Sequence, residues 1–135
     1  MAMGVPAQIS LKGRALRLLG AREHSRAELE RRLASFETVP GELAKALDEL
    51  QAKGFINEQR VADSVVHRRA AKLGVARIRQ ELQSKGLDPA MVLDTVENLR
   101  ATEVQRAHEV WRRKFGELPR DAASRGKQMR FLISR

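Results

Sequence analysis

Apolar residues recur at helical spacing along most of the chain, and glycine or proline separates one periodic segment from the next. The first apolar face is formed by Leu11, Ala15, Leu18 and Leu19. No segment shows the alternation of apolar and polar residues that is typical of a half-buried strand. The pattern therefore predicts an all-α protein.

Capping residues predict where several helices begin. Ser25, followed three residues later by Glu28, is a capping box, in which each side chain accepts a hydrogen bond from the other residue's backbone N–H. Asn57 is a good N-cap, and Asp88-Pro89 supplies an N-cap followed by a first-turn proline. Glycines predict the helix ends: Gly54, Gly74, Gly86 and Gly116.

Further helices are predicted from near Pro40, over the stretch GVARIRQELQSKG at 74–86, from about Glu103 to Phe115, and after Pro119. The residues expected to face inward are Leu29, Leu33, Phe36, Leu43, Leu47, Leu50, Val61, Val65, Val66, Ala70, Leu73, Val75, Ile78, Leu82, Val92, Leu93, Val96, Leu99, Val104, Ala107, Trp111, Phe115, Met129, Leu132 and Ile133. Most of this core is aliphatic, because aromatic residues make up only 4% of the chain.

A shift of 49 residues aligns the chain with itself. Ser25 falls on Gly74 and Pro40 falls on Pro89. The apolar pairs are Leu29 with Ile78, Leu33 with Leu82, Leu43 with Val92, Leu47 with Val96, and Leu50 with Leu99. We predict a three-helix repeat over 9–54, a second over 55–101 and a partial third over 102–135. One repeat buries little surface alone, so neighbours must stack into a single continuous array.

Charge follows the same repeat. The chain carries 26 Lys and Arg against 17 Asp and Glu, a net charge of +9. Its pI near 11.0 points to a polyanionic partner such as nucleic acid, an acidic protein surface or anionic lipid. A soluble protein with a charged surface is the simpler alternative. Residues 1–36, 64–85 and 100–135 are net basic, whereas 37–63 and 86–99 are net acidic. A stacked array would therefore carry segregated stripes of opposite charge.

Two groups of cations are candidate partner-binding residues, for a polyanion such as DNA phosphate or for an acidic protein surface. They are Arg68, Arg69, Lys72, Arg77, Arg79 and Lys85, followed by Arg112, Arg113 and Lys114. Glu81 is the one acid within 68–85. Ordinary helix chemistry accounts for part of the first group, since Arg77 and Glu81 are spaced i,i+4 and Lys85 lies in a last turn. The second group could equally be the solvated side of a helix that faces inward through Trp111 and Phe115.

Catalytic and metal-binding chemistry finds little support. The chain has no cysteine, which excludes disulfides, thiolate metal ligands and a thiol nucleophile. His24, His67 and His108 lack the spacing of metal ligands. A catalytic triad needs a third group to orient its histidine, and none is evident for the neighbouring pair His24-Ser25. The stretch SRGKQ at 124–128 contains Gly-Lys but lacks the earlier glycine and the following Ser or Thr of a phosphate loop. We expect no enzyme, no cofactor and no metal site.

The stretch MAMGVPAQISLKG at 1–13 contains no apolar run of the length found in a signal peptide. No part of the chain approaches the roughly 20 apolar residues that a membrane span needs. We expect a cytoplasmic monomer without membrane contact.

Three segments carry a resemblance to a known family. They are ALRLLGAREHSRAELERRL at 15–33, LDELQAKGFINEQRVADSVVHRRAAKLGVARIRQELQSKG at 47–86 and KQMRFLISR at 127–135. In this order and spacing they resemble the RecX family, bacterial regulators of the RecA recombinase. Glu58 and Val61 stand where that family often has Asp and an aromatic residue. Its members tend to continue past FLISR with a glycine and a final helix, so we expect a truncated or partly ordered C-terminus.

The resemblance implies tandem three-helix repeats in an elongated, curved molecule. It also implies a non-enzymatic protein that lies in the helical groove of the RecA–single-stranded-DNA filament. Such a protein would inhibit filament growth, ATP hydrolysis, strand exchange and coprotease activity. The alternative is a stand-alone DNA-binding protein that uses 74–86 as a recognition helix, with Arg77, Gln80 and Gln83 available to base edges. Weak, salt-sensitive nucleic-acid binding is expected in both cases.

Overall fold

The computed structural model describes residues 9–135, which contain eight α-helices and no strand. The prediction of an all-α protein is confirmed. The helices are α1 Leu11–Ala21, α2 Arg26–Leu33, α3 Glu42–Ala52, α4 Glu58–Arg69, α5 Val75–Ser84, α6 Pro89–Arg100, α7 Glu103–Lys114 and α8 Ala122–Ile133. None of these helices is long and apolar enough to cross a membrane. Residues 1–8, which hold most of the stretch considered for a signal peptide, lie outside the described residues.

The chain divides into two compact units between Val61 and Ala62, within α4. In unit one, α1 packs on α3 and α2 packs on both. Its core is formed by Leu11, Ala15, Leu29, Leu33, Leu43, Leu47, Leu50 and Ile56. The capping box fixes the start of α2, because Glu28 N donates to Ser25 Oγ and Ser25 N donates to a Glu28 carboxylate oxygen.

In unit two, α5 packs on α6, α6 contacts α7, and α7 packs on α8. Its buried apolar residues include Val65, Val75, Ile78, Leu82, Leu87, Val92, Val96 and Leu99. The pair α7–α8 is tied by the Trp111 indole, whose Nε1 donates to Gln128 Oε1 at 2.9 Å. The Gln128 amide then donates to the Glu117 carbonyl at 3.1 Å. Trp111 is therefore a partly buried anchor between two helices rather than a free stacking platform.

The internal repeat is confirmed in three dimensions. Helix α2 begins after its N-cap Ser25 and α5 begins after its N-cap Gly74, which are 49 residues apart. All ten residues of the five aligned apolar pairs are buried. Asn57 and Asp88 also cap their helices as predicted, each accepting a backbone N–H with a side-chain oxygen. The same local rules therefore act twice along the chain.

The end of α4 differs from the prediction. The helix ends at Arg69 rather than continuing to Leu73, and the backbone turns so that Leu73 N donates to the Arg69 carbonyl at 2.8 Å. Arg106 in α7 donates to the carbonyls of Ala70 and Leu73, both at 2.9 Å, and so satisfies two groups that the helix leaves free. Gly74 has a φ of −84° and is the N-cap of α5, not the end of α4.

Six positions that were predicted to face inward are exposed: Phe36, Leu93, Val104, Ala107, Met129 and Ile133. Neither α7 nor α8 contains a fully buried residue, because each is covered mainly along one side. Val104 is consequently 84% exposed and Ile133 79% exposed. Phe36 lies in a 3₁₀ turn, Ala34–Phe36, after the end of α2, so the helical spacing that placed it beneath Leu33 no longer holds.

Candidate binding surface

All nine predicted partner-binding residues lie in unit two, between Ala62 and Arg135. Those that are exposed are Arg68, Arg69, Lys72, Arg77, Arg112, Arg113 and Lys114. Arg79 and Lys85 are half-buried. Several of the nine are held by neighbouring groups of the same unit.

Glu81 holds two cations of the first group. Its carboxylate accepts a hydrogen bond from Arg69 Nε at 3.0 Å and lies 3.5 Å from Arg68 Nη2. The i,i+4 spacing had instead suggested Arg77 as the partner of Glu81. An exposed ion pair of this kind contributes little to stability, about 0–1 kcal/mol, but it does direct both arginines towards α5.

The N-terminal end of α5 is covered by later parts of the chain. Gly74 N donates to the Arg135 carbonyl at 2.8 Å, and Val75 N donates to Glu103 Oε1 at 3.1 Å. Arg77 turns back to the Ser134 carbonyl, to which its Nη2 donates at 2.9 Å. The backbone N–H groups of Gly74 and Val75, which would otherwise attract an anion, are thus satisfied from within the unit.

The run Arg112-Arg113-Lys114 spreads around α7, as expected for successive helical residues. Arg112 Nη2 donates to Glu109 at 2.7 Å, and this hydrogen bond is the main cause of the lowered pKa of the Glu109 carboxyl. Arg113 donates instead to the Ala71 carbonyl at 3.2 Å. The ammonium of Lys114 lies 5.4 Å from the centre of the Phe131 ring.

Arg113, Lys114 and Lys72 meet in a surface cavity of about 330 Å³, which we name the basic depression. Its lining residues are Ala71, Lys72, Val110, Arg113, Lys114, Phe131 and Arg135. None of these lining residues is acidic. The depression therefore joins one cation of the first predicted group to two of the second.

Phe131 and Arg135 are members of the basic depression that sequence reasoning missed. The Arg135 guanidinium lies 4.5 Å from the centre of the Phe131 ring, and Phe115 meets that ring edge-on at 5.4 Å. Phe131 and Arg135 are spaced i,i+4, which was the available signal. Their chain neighbours had been interpreted only as the apolar face of a last helix.

A larger cavity of about 410 Å³ shares Lys72 and Arg135 with the basic depression. It also contains Glu103, whose carboxylate already accepts the Val75 N–H. Aliphatic groups from Leu73, Val110 and Leu132 complete much of the wall. With Arg77 and Arg106 its lining has four cations and one acid, whereas the basic depression has four cations and no acid. The basic depression is consequently the stronger candidate for an anionic partner.

Metal-ligand clusters are not found among residues 9–135: no three His, Asp or Glu side chains are grouped to hold an ion. His24 is 2% exposed, and its Nδ1 lies 3.0 Å from the Arg22 carbonyl, to which it donates in the neutral ring. Burial lowers the pKa of His24, with the nearby charges of Arg22 and Arg32 acting in the same direction. These contacts give His24 a structural role beside the Ser25 cap.

Comparison with known proteins places the chain in a family. The model for the first three-helix domain of RecX matches residues 12–50, and that for the second matches residues 57–94. The regulatory protein RecX of Leptothrix cholodnii is 57% identical over 128 residues, which are 95% of this chain and 82% of the relative. The chain belongs to the RecX family. The regulatory protein RecX of Herminiimonas arsenicoxydans is 49% identical, over 95% of this chain and 85% of the relative.

Two solved RecX structures show the same fold. A crystal structure of RecX from Lactobacillus salivarius matches with a TM-score of 0.68 and 21% identity, over 92% of this chain and 84% of that one. Another crystal structure of regulatory protein RecX matches with a TM-score of 0.66 and 20% identity, over 92% of this chain and 65% of that one. The resemblance to RecX and the helical repeat that it implied are confirmed.

The two matched RecX domains account for most of α1–α6 but not for α7 and α8. Of the cations in the basic depression, Lys72 lies in the second matched domain. Arg113, Lys114 and Arg135 lie beyond residue 94, outside both matched segments. The candidate surface is thus built where the second RecX domain meets the following pair of helices in unit two.

Proposed function

We propose that this RecX-family chain is a non-enzymatic regulator that binds the RecA–single-stranded-DNA filament. Binding would inhibit filament growth, ATP hydrolysis, strand exchange and coprotease activity. Family membership supports a regulatory role, and the basic depression is the observation that supports an anionic partner. The protein would act as a monomer in the cytoplasm, where the filament forms, with a three-repeat organisation over 9–54, 55–101 and 102–135.

The proposed mechanism is steric and electrostatic. A filament displays DNA phosphates and charged protomer faces along a helical groove. Lys72, Arg113, Lys114 and Arg135 would meet an anionic part of that surface and release its counterions, so binding weakens as salt rises. A chain that contacts successive RecA protomers would impede the rearrangements that accompany growth and ATP hydrolysis. No step of this mechanism requires a nucleophile, a metal ion or a cofactor.

The packing of α5 argues against a stand-alone recognition helix. Recognition helices place their N-terminal residues against base edges in the major groove. In α5 that end donates hydrogen bonds to Arg135 and Glu103, and Arg77 is bonded to Ser134. Gln80 and Gln83 are exposed, but they lie further along the helix. We therefore favour a filament-directed regulator over a direct reader of duplex sequence.

The test adds the protein to preformed RecA–single-stranded-DNA filaments and follows ATP hydrolysis together with filament length. We expect substoichiometric protein to suppress hydrolysis and to stop filament growth. The proposal fails if both remain unchanged while the protein binds one duplex sequence specifically at about 150 mM salt. A mixed duplex pool at the same salt is the matched control for sequence-independent binding.

A further inference from the structure

Unit one contains cations that the filament proposal does not use. Several arginines of this unit form ion pairs: Arg22 with Glu28, Arg26 with Asp48, and Arg60 with Glu23. Arg14, Arg17 and Arg32 differ, since none of them has a carboxylate within 4.0 Å in the part of the chain that the structure describes.

These three arginines line one groove. It has a volume of about 210 Å³ and lies between α1 and α2, with the 3₁₀ turn at one side. Its lining residues are Arg14, Arg17, Leu18, Arg32, Leu33 and Phe36. Three positive charges therefore share a small space without an acid among the lining side chains, an arrangement that an incoming anion would relieve.

The groove also offers a surface for stacking. The Arg14 guanidinium lies 3.8 Å from the centre of the Phe36 ring, so two planar groups are paired at its edge. Phe36 is 45% exposed, so its ring is accessible to an incoming group. Bases of single-stranded nucleic acid stack on both aromatic rings and guanidinium planes.

A neighbouring depression of about 460 Å³ shares Arg14 and Phe36 but contains Glu42 and no further cation. The electrostatic preference for an anion consequently lies on the side of Arg17 and Arg32. An acidic peptide would use the charges alone, whereas a nucleotide would use the charges through its phosphate and the Arg14–Phe36 pair through its base.

We infer that this groove is a binding site for single-stranded nucleic acid, with phosphate on Arg17 and Arg32 and a base on the Arg14–Phe36 pair. The site goes beyond the filament proposal, because it concerns free nucleic acid and residues of unit one. It can therefore be tested without recombinase, and its failure would leave the proposed regulation of the filament untouched.

The phosphate contacts are tested with the full chain and a fluorescent oligothymidylate, by anisotropy at salt from about 50 to 200 mM. The variant is Arg17→Gln/Arg32→Gln. The matched control is Lys45→Gln/Lys53→Gln, which removes two exposed charges of unit one, one in α3 and one at its C-terminal cap. We expect at least a tenfold loss for the arginine variant, and a slope of log affinity against log salt that is shallower by roughly 1.4, about 0.7 per contact.

A loss no larger than that of the lysine control, with an unchanged salt slope, overturns the assignment of phosphate to this groove. Circular dichroism is recorded for both variants to test whether they keep their helices. Should the arginine variant lose its fold, the next substitution provides an independent test, because Phe36 is half exposed and belongs to no buried core.

The base contact is tested with Phe36→Leu, which keeps an apolar side chain and removes the ring. Phe55→Leu is its control, since Phe55 is 47% exposed in the same unit and lies outside the groove. We expect Phe36→Leu to weaken oligothymidylate binding about fivefold or more, and to leave the affinity for an abasic strand of equal length unchanged.

Equal weakening for the two strands shows that no base stacks on the ring and overturns this part of the inference.

Polyglutamate of matched charge provides the last comparison. If it displaces oligothymidylate from the native protein as well as unlabelled oligothymidylate does, the groove is a site for acidic protein and the nucleic-acid assignment is wrong.

Discussion

The carboxylate of Glu81 in α5 accepts a hydrogen bond from Arg69 at the end of α4, with Oε1 and Nε 3.0 Å apart. Arg68 lies at 3.5 Å from the other oxygen of the same carboxylate. One acid thus engages two of the six cations that the sequence places between 68 and 85. The accessible positive charge of this segment is set by that carboxylate as well as by the arginines.

Glu81→Gln should free both arginines for an anionic partner. We expect binding to the filament, or to single-stranded DNA at low salt, to tighten about two- to fivefold, since an exposed pair is worth about 0.2–1 kcal/mol. The free energy of unfolding should fall by less than about 1 kcal/mol. The control is Glu97→Gln, which removes one acid from a local pair with Arg100. Equal tightening in both variants would show that only net charge matters.

Reversal of charge in the basic depression should weaken regulation. For Lys72→Glu/Arg113→Glu/Lys114→Glu, we expect the protein concentration that halves ATP hydrolysis by filaments to rise at least tenfold, because each lost phosphate contact lowers affinity. Helicity should remain, since all three residues are exposed.

The matched control for that variant is Arg120→Glu/Arg125→Glu/Lys127→Glu, which makes the same change of charge at exposed positions of unit two outside the depression. Inhibition curves that coincide for the two variants would place the contact surface elsewhere in the protein.

Arg106 should be the cation whose loss costs unit two the most stability. Its guanidinium donates to the carbonyls of Ala70, Leu73 and Leu99, and so closes the C-terminal ends of α4 and α6. Arg106→Gln leaves part-buried carbonyls without a donor, and we expect the free energy of unfolding in urea to fall by about 2–3 kcal/mol. Arg125→Gln, an exposed position in α8, should change it by less than about 0.5 kcal/mol. Similar losses in both variants would contradict this role.

His24 should make stability depend on pH. Burial lowers the pKa of His24 from its ordinary value of 6.5, so below that value the unfolded chain binds a proton that the folded chain does not. Stability is therefore complete above about pH 6.5 and falls as the pH decreases towards the lowered pKa of the folded state. Urea titrations between pH 7.5 and 5 measure this.

His24→Gln should flatten the dependence in that range, because the Gln amide can donate to the Arg22 carbonyl without titrating. The matched control is His67→Gln, which replaces a histidine at an exposed position. A native-like slope in His24→Gln would assign the effect to other groups.

The repeat could be predicted because its determinants are local. Leu29 and Ile78 are buried by helical spacing within a few turns, and Ser25 and Asp88 cap helices through contacts two or three residues away. Such rules act within ten or so residues, so they can be read from one sequence without knowledge of the packing.

The basic depression could be predicted only in part. Lys72, Arg113 and Lys114 were all identified as candidate binding residues, but their proximity depends on how the end of α4 packs against α7 and α8.

Helical periodicity wrongly predicted that Val104 and Ile133 are buried. The apolar side of an amphipathic helix can be identified from sequence, but not whether another element covers it.

Trp111 is the sole tryptophan, and its indole is bonded to Gln128 across the α7–α8 pair. Intrinsic tryptophan emission is thus a built-in optical reporter for one end of unit two, whereas far-UV ellipticity averages over every helix. Denaturation curves recorded by the two signals will coincide if the chain melts as one cooperative body. If α7 and α8 fray first, the emission curve will move to lower denaturant, without any label or substitution being needed.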